Sequence, residues 1–261
     1  MGRGKLMLRI IDTDLCRGSY SASLDEAIAR GVSRGLEPTL HFYRRSPPAV
    51  TLGYFCKVEE DVDTEYCMRE GVSLVRRWTG GGTIYTDENV LVYGLSCPKE
   101  YLPENIGESY EIICGAIVDC LFYFGIKAEY KPINDVLVGR RKISGSAQFR
   151  RWSIVLQHGT ILMNADFDKM FGAIKPKMDK LRKRGFSDAR DAMTSIYHER
   201  GLMPEVGVLK DKFTESLCRR IGNFCGYEVI AKRGEITKEE KEEAEILEKE
   251  KYGREEWTYL R

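Results

Sequence analysis

Apolar positions along the chain switch between two periods. Leu6 to Ile11 is a short apolar run and reads as a first strand, while Leu24, Ile28 and Val32 recur at helical spacing before Gly35. Ser23 and Glu26 stand in front of that helical row at capping-box spacing. Thr39 to Tyr43 and Ala49 to Phe55 read as strands joined through the proline turn Ser46-Pro47-Pro48. A helix is expected over 59–70, then a strand over 72–77 running into the glycine turn, a β-type run over 83–85 leaving it so that the glycines form a hairpin tip, and another strand over 90–96. Tyr110 to Phe124 is apolar all round, so it predicts a buried helix, stopped by Gly125. Asp135–Val138 and Lys142–Gln148 flank Gly139-Arg140 as a hairpin, followed by a strand over 153–163. Helices are expected over 166–174 and 209–224, a short strand over 228–231, and a charged helix with few apolar anchors over 237–251.

Strands cluster between residues 39 and 163, and helices gather afterwards. That order predicts an α+β fold, with a mixed, mainly antiparallel sheet flanked by helices. The 261 residues suit a single catalytic-type domain over 1–261, with a small helical lobe over 175–261 as the alternative division. Charge adds little at the global level: 41 basic against 40 acidic side chains leave +1. Locally it is uneven, with six basic residues and one acidic between Lys175 and Arg184. The eight cysteines form no Cys-x-x-Cys pair, which speaks against a zinc site or a compact disulfide framework. No run has the length of a signal or a membrane span, so a reducing, cytoplasmic setting without membrane contact is expected.

Four places carry candidate chemistry. In Arg76-Arg77-Trp78-Thr79-Gly80-Gly81-Gly82-Thr83-Ile84-Tyr85, glycines free the backbone to lie against a ligand, and two cations stand at the entrance. The turn matches neither Gly-x-Gly-x-x-Gly nor the P-loop pattern. Lys142-Ile143-Ser144-Gly145-Ser146-Ala147-Gln148 puts a lysine before small residues, so its amine can enter the space left by Gly145 and Ala147 and face a developing oxyanion. Asn134-Asp135 is explained by turn chemistry, or by a carboxylate that holds Mg²⁺ beside a nucleotide. His158 lies mid-strand, where a satisfied core histidine is the commoner outcome.

Taken in order and spacing, these segments, together with His158-Gly159-Thr160-Ile161-Leu162-Met163-Asn164-Ala165-Asp166, resemble the lipoate–protein ligase A family. The resemblance also takes in Gly53-Tyr54-Phe55, the Lys183-to-Thr194 loop and Glu255-Glu256-Trp257. It implies the catalytic fold shared by biotin ligases and class II synthetases. It also implies an ATP-dependent ligase that adenylates lipoate or octanoate, releases pyrophosphate, and passes the acyl group to a carrier lysine. ATP and Mg²⁺ would be the cofactors and lipoate the substrate. The partner would be a lipoyl carrier domain of a 2-oxoacid dehydrogenase E2 or a glycine-cleavage H-type protein.

By the same resemblance, Arg76, Arg77, Gly80, Gly81, Gly82, Thr83, Ile84 and Tyr85 would hold the adenylate. Lys142 would be the catalytic amine, while Asn134, Asp135, Gly145, Ala147 and His158 would line the site, with Asp135 a candidate Mg²⁺ ligand. Two departures stand out: Thr86 occupies the place of a usual histidine, and the family's further C-terminal domain is missing, which implies dependence on a separate accessory protein. A rival on the same fold is an octanoyltransferase that moves its acyl group through a cysteine thioester. Its cysteine would stand shortly upstream of Lys142, but 127–141 holds none, and Cys120 lies within an apolar helix. The basic stretch 175–184 also fits a nucleic-acid module or complements an acidic carrier domain; its bland reading is a solvated loop, and nucleic acid is not expected as a partner.

Overall fold

A computed structural model describes residues 4–261; residues 1–3, part of the N-terminal stretch read for a signal, lie outside the described residues. The strands are β1 (Lys5–Cys16), β2 (Thr39–Arg45), β3 (Ala49–Leu52), β4 (Ser73–Arg76), β5 (Ile84–Thr86) and β6 (Val90–Pro98). They continue with β7 (Glu129–Lys131), β8 (Asp135–Val138), β9 (Arg141–Arg151), β10 (Ile154–Leu162) and β11 (Glu228–Arg233). Eight of them form one sheet in the order β11-β1-β2-β6-β10-β9-β8-β7, and β4-β3-β5 form a second. In the large sheet only the β11-β1 and β1-β2 pairs run parallel, so the fold is α+β with a mainly antiparallel sheet, as expected.

Both faces of the large sheet are covered. Leu91, Tyr93, Leu95 and Cys97 of β6 turn one way, toward the helices Ile106–Tyr123 and Val206–Cys225. The opposite face carries the helix Gly18–Ser33, against which Lys238–Leu247 packs through Ala244 and Leu247. This double burial explains why β6 is apolar along its length and not alternating. Each fully buried leucine in these layers contributes roughly 1.5–3 kcal/mol. The last strand, β11, bonds along β1, so the C-terminal third contributes an edge to the main sheet.

Several local expectations are corrected. Ser23 and Glu26 do not cap a helix. The helix already starts at Gly18; Ser23 donates to the Ser19 carbonyl, and Glu26 is buried against Arg30, Lys251 and Tyr252. The capping box lies instead at Thr237 and Glu240, and Glu240 is at once the buried partner of Arg9, at 2.9 Å. The helix expected over 59–70 breaks into Val58–Asp61 and Thr64–Arg69, because Val62 bridges to Ile174 and Asp63 caps the second piece.

The glycine stretch is not a hairpin tip. Strands β4 and β5 do not pair with each other; β3 lies between them, parallel to β4 and antiparallel to β5. Residues 77–83 therefore form a crossover that arches past the end of β3. Short helices over Met178–Lys183, Ile196–Arg200 and Glu255–Thr258 and the edge strand β7 were not expected from the sequence; they are too short to show a period.

Candidate active site

A cavity of about 390 Å³ opens between the large sheet and the small one. Its walls include Arg77, Gly82, Thr83, Ile84 and Tyr85 from the glycine crossover and β5, Asn134, Asp135, Lys142, Gly145 and Ala147 from the β8-β9 hairpin, and His158 of β10. The crossover and the lysine hairpin thus meet at one space, as the sequence suggested. Their junction is tight: a Cβ on Gly81 would lie 2.9 Å from the Ala147 methyl and 2.7 Å from Arg77 Nη2. Gly81 has φ +94°, and a Cβ on Gly53 would run into the Gly81 carbonyl, so glycine is required at both crossing points. Gly80 and Gly82 have open space around them, so nothing in their packing demands glycine.

Lys142 is aimed by a bulge. Pairing between β8 and β9 steps from Val136–Ser144 to Leu137–Lys142, and the extra residue, Ile143, is buried in the core. The Lys142 side chain then crosses over Gly145, where a Cβ would overlap its Cε and Nζ. Nζ ends 2.6 Å from Asp135 Oδ1, and Asp135 is the register partner of Gly145. With side chains 30% and 25% exposed, this pair contributes about 0–1 kcal/mol of stability. Its consequence is positional: it holds an ammonium at the cavity wall. Asn134 bonds through Nδ2 to the Ser146 carbonyl and through its own carbonyl to the Ser146 amide, which clamps β9 beside Lys142.

The two arginines depart from their expected part. Arg76 is 0% exposed, does not reach the cavity, and donates to the carbonyls of Gly53, Tyr54, Cys56 and Thr258. Arg77 does line the cavity, but its Nε and Nη2 bond the Gly80 carbonyl, Nη2 also the Gly82 carbonyl, and Nη1 that of Thr51. Loss of solvent brings its pKa down to about 10. Both guanidiniums are therefore committed to shaping the crossover and are not free entrance cations. Gly80 and Gly81 also lie behind the wall. Thr86, at the departure noted above, is buried and donates to the Ala49 carbonyl at 3.4 Å.

His158 faces the cavity, with Nε2 3.0 Å from Thr79 Oγ1. Loss of solvent, then the charge of Arg77, hold its pKa down to about 3, so it is a neutral ring at ordinary pH. Sequence reasoning missed the part of the wall made by Asp25, Tyr43, Arg45 and Thr51, at the β2 end of the cavity and separated from β9 by two strands. A signal was present: His41, Tyr43 and Arg45 share one parity of β2, opposite Leu40 and Phe42. Asp25 joins two of them, with Oδ1 2.9 Å from His41 Nδ1 and Oδ2 accepting from the Tyr43 hydroxyl at 2.9 Å. Lys177, Lys180 and Arg184 of the basic stretch line another part of the same cavity.

No thiol lines this cavity among the described residues. Cys114 lies behind Ser146, its Sγ 3.7 Å from Oγ, with burial pushing its pKa up to about 11. Cys56 lies behind the crossover, donating to the Gly81 carbonyl. The described residues hold no group of three or more His, Cys, Asp or Glu that could bind a metal, and none of their helices is long and apolar enough to cross a membrane.

Comparison with known proteins sharpens the chemistry. Octanoyltransferase LipM of Geobacillus kaustophilus is 28% identical over 283 residues, spanning 98% of this chain and 99% of its own. The Symbiobacterium thermophilum octanoyltransferase LipM is 29% identical, over 96% and 97% of the two chains. Among solved structures, the bipartite lipoate protein ligase of Thermoplasma acidophilum, studied with its E2 lipoyl domain, superposes with a TM-score of 0.81 at 26% identity, covering 100% of this chain and 98% of that one. A lipoate-protein ligase A bound with ATP gives 0.77 at 26% identity, over 99% of each chain.

The curated relatives correct the expected enzyme and its cofactors. They are octanoyltransferases over essentially their full length, so a ligase that turns ATP into AMP and pyrophosphate, with ATP and Mg²⁺ as cofactors and free lipoate as substrate, is not what they support. The Asp135 carboxylate, offered as a Mg²⁺ ligand, is bonded to Lys142. Residues 18–218 match the family model described as the lipoyl protein ligase A/B catalytic domain, and the chain belongs to that family.

Proposed function

We propose that this protein is an acyltransferase that moves an octanoyl-type group from a thioester on a carrier protein to a specific lysine of a lipoyl domain. The observation that carries this reading is the position of Lys142, held by Asp135 over Gly145 at the wall of the cavity that also meets the glycine crossover. The acyl chain lies in the cavity with its carbonyl at Lys142. As the incoming amine attacks, negative charge collects on the carbonyl oxygen, and the ammonium faces it without having to reorganise. The carbon–nitrogen bond forms, the carbon–sulfur bond breaks, and the departing thiolate takes up the proton released by the amine. A thioester is already activated, so this reading needs no nucleotide. The names of the full-length relatives support the transfer, and the lipoyl domain of the archaeal structure supports the acceptor.

The sequence offered a cysteine thioester as the route. The thiols near the cavity lie behind Ser146 and behind the crossover, which favours direct passage from donor to acceptor. The test is to incubate the protein with octanoyl-acyl carrier protein and a lipoyl domain, without ATP, and to weigh the lipoyl domain by mass spectrometry. One octanoyl group added is the expected result, retained in Cys114→Ser and Cys56→Ser. No addition until ATP and free acid are supplied would reject the transferase. An acyl-enzyme trapped on either cysteine would reject the direct route.

A further inference from the structure

The part of the cavity wall made by β2, which β6 and β10 separate from β9 and its Lys142, carries a cation without a hydrogen-bond partner among the described residues. Arg45, the last residue of β2, is 3% exposed and lines the cavity. Among the described residues its Nε and Nη1 have no partner, and neither does the buried Oγ1 of Thr51, which also lines the cavity. The carboxylate that shares this wall, Asp25, already serves His41 and Tyr43, and among the described residues it makes no ion pair with Arg45. Arg77 adds a second positive charge, and His158 adds none.

Room for the guanidinium is made by Gly18, where a Cβ would lie 2.7 Å from Nη1. Arg45 therefore stands beside the first residue of the helix Gly18–Ser33, whose positive end it meets unfavourably. The face of the Tyr43 ring, 5.2 Å from the guanidinium carbon, offsets this in part. Buried charged donors left without acceptors are costly, so a ligand group that satisfies them is strongly favoured over one that does not.

We propose that this β2 end, separated from Lys142 by two strands, is an anion-binding subsite that reads the far end of the acyl chain, so that the preferred chain ends in a carboxylate or similar anionic oxygen group instead of a bare methyl. Arg45 is its principal donor, and Thr51 supplies a hydroxyl. That the occupant is an acyl chain rests on the function proposed above; the subsite itself rests on the unpaired donors.

The test uses two probes whose reacting ends are both capped as amides, octanamide and octanedioic acid monoamide, titrated into the whole protein by calorimetry. The monoamide is expected to bind at least about tenfold more tightly, because a site built around polar donors discriminates against ligands that leave them unpaired. Arg45→Met should abolish that preference and Arg45→Lys should keep part of it, with thermal unfolding confirming that both variants fold. Thr51→Val, expected to reduce the preference a few-fold, keeps the question open to test if Arg45→Met does not fold. Equal or tighter binding of octanamide to the wild-type protein, or a preference that survives Arg45→Met, would overturn the subsite. A clear preference in a protein that transfers no acyl group would leave the subsite standing and remove the transferase reading.

Discussion

At the scale of single residues, Gly145 decides where the key amine goes. Any side chain there would occupy the path of Lys142 Cε and Nζ. The obstructed atoms are the free end of a flexible side chain, so the fold can absorb the change while the amine cannot keep its place. Gly145→Ala is therefore expected to unfold within a few degrees of wild type yet lose roughly 10²-fold in acyl transfer, the size of effect that about 1 Å of misplacement produces. Melting curves and single-turnover transfer rates check both halves; an unchanged rate would mean that the lysine reaches the carbonyl by another path. Adjacent arginines show the same dependence on place. Arg76 bonds carbonyls of distant segments, while Arg77 bonds those of Gly80 and Gly82 in its own turn and that of Thr51 in β3, though the sequence presents them as a pair.

At the scale of elements, the glycine crossover is held in shape from behind. Arg76 joins β4 to the loop after β3 and to the C-terminal helix Glu255–Thr258, whose Trp257 returns a bond from Nε1 to the Arg76 carbonyl at 2.8 Å. Arg76→Met would leave several buried carbonyls without donors, at a cost of about 3 kcal/mol or more. Urea unfolding should show that loss as a lower midpoint; a midpoint within experimental error of wild type would mean that water replaces the guanidinium. Motif order marked the crossover and the lysine hairpin as parts of one site, and the alternating pattern located β8 and β9. The pairing of β3 between β4 and β5 was hidden, because a glycine-rich connection between two strands looks the same in sequence whether they pair or are separated by a third. The first helix was begun too late because Ser23 and Glu26 have capping-box spacing, whereas Ser21 and Ser23 in fact bond back to carbonyls of the preceding turn.

At the scale of the whole molecule, burial of a neutral histidine links stability to pH. His158 has its pKa lowered from 6.5 to about 3, so between those values the unfolded chain binds more protons than the folded one. Stability from this group is complete above pH 6.5 and falls as pH drops toward 3, by at most about 1.4 kcal/mol per pH unit. His158→Gln is expected to flatten the fall of unfolding free energy across that window, leaving only the contribution of the carboxylates. Parallel slopes for the two proteins would show that the ring is not held neutral.

The sequence by itself determined the class of fold, the order of the main strands and helices, and two of the segments that line the cavity, the glycine crossover and the lysine hairpin, because periodicity and motif spacing are local or ordered properties of a chain. It also favoured an adenylating ligase, a choice that the octanoyltransferase relatives correct. The tertiary structure decided which of two neighbouring arginines faces the cavity, which glycines are required, and that β2 turns Tyr43 and Arg45 inward. Those outcomes depend on which backbone carbonyls and side chains arrive from distant parts of the chain, and no local pattern records their arrival.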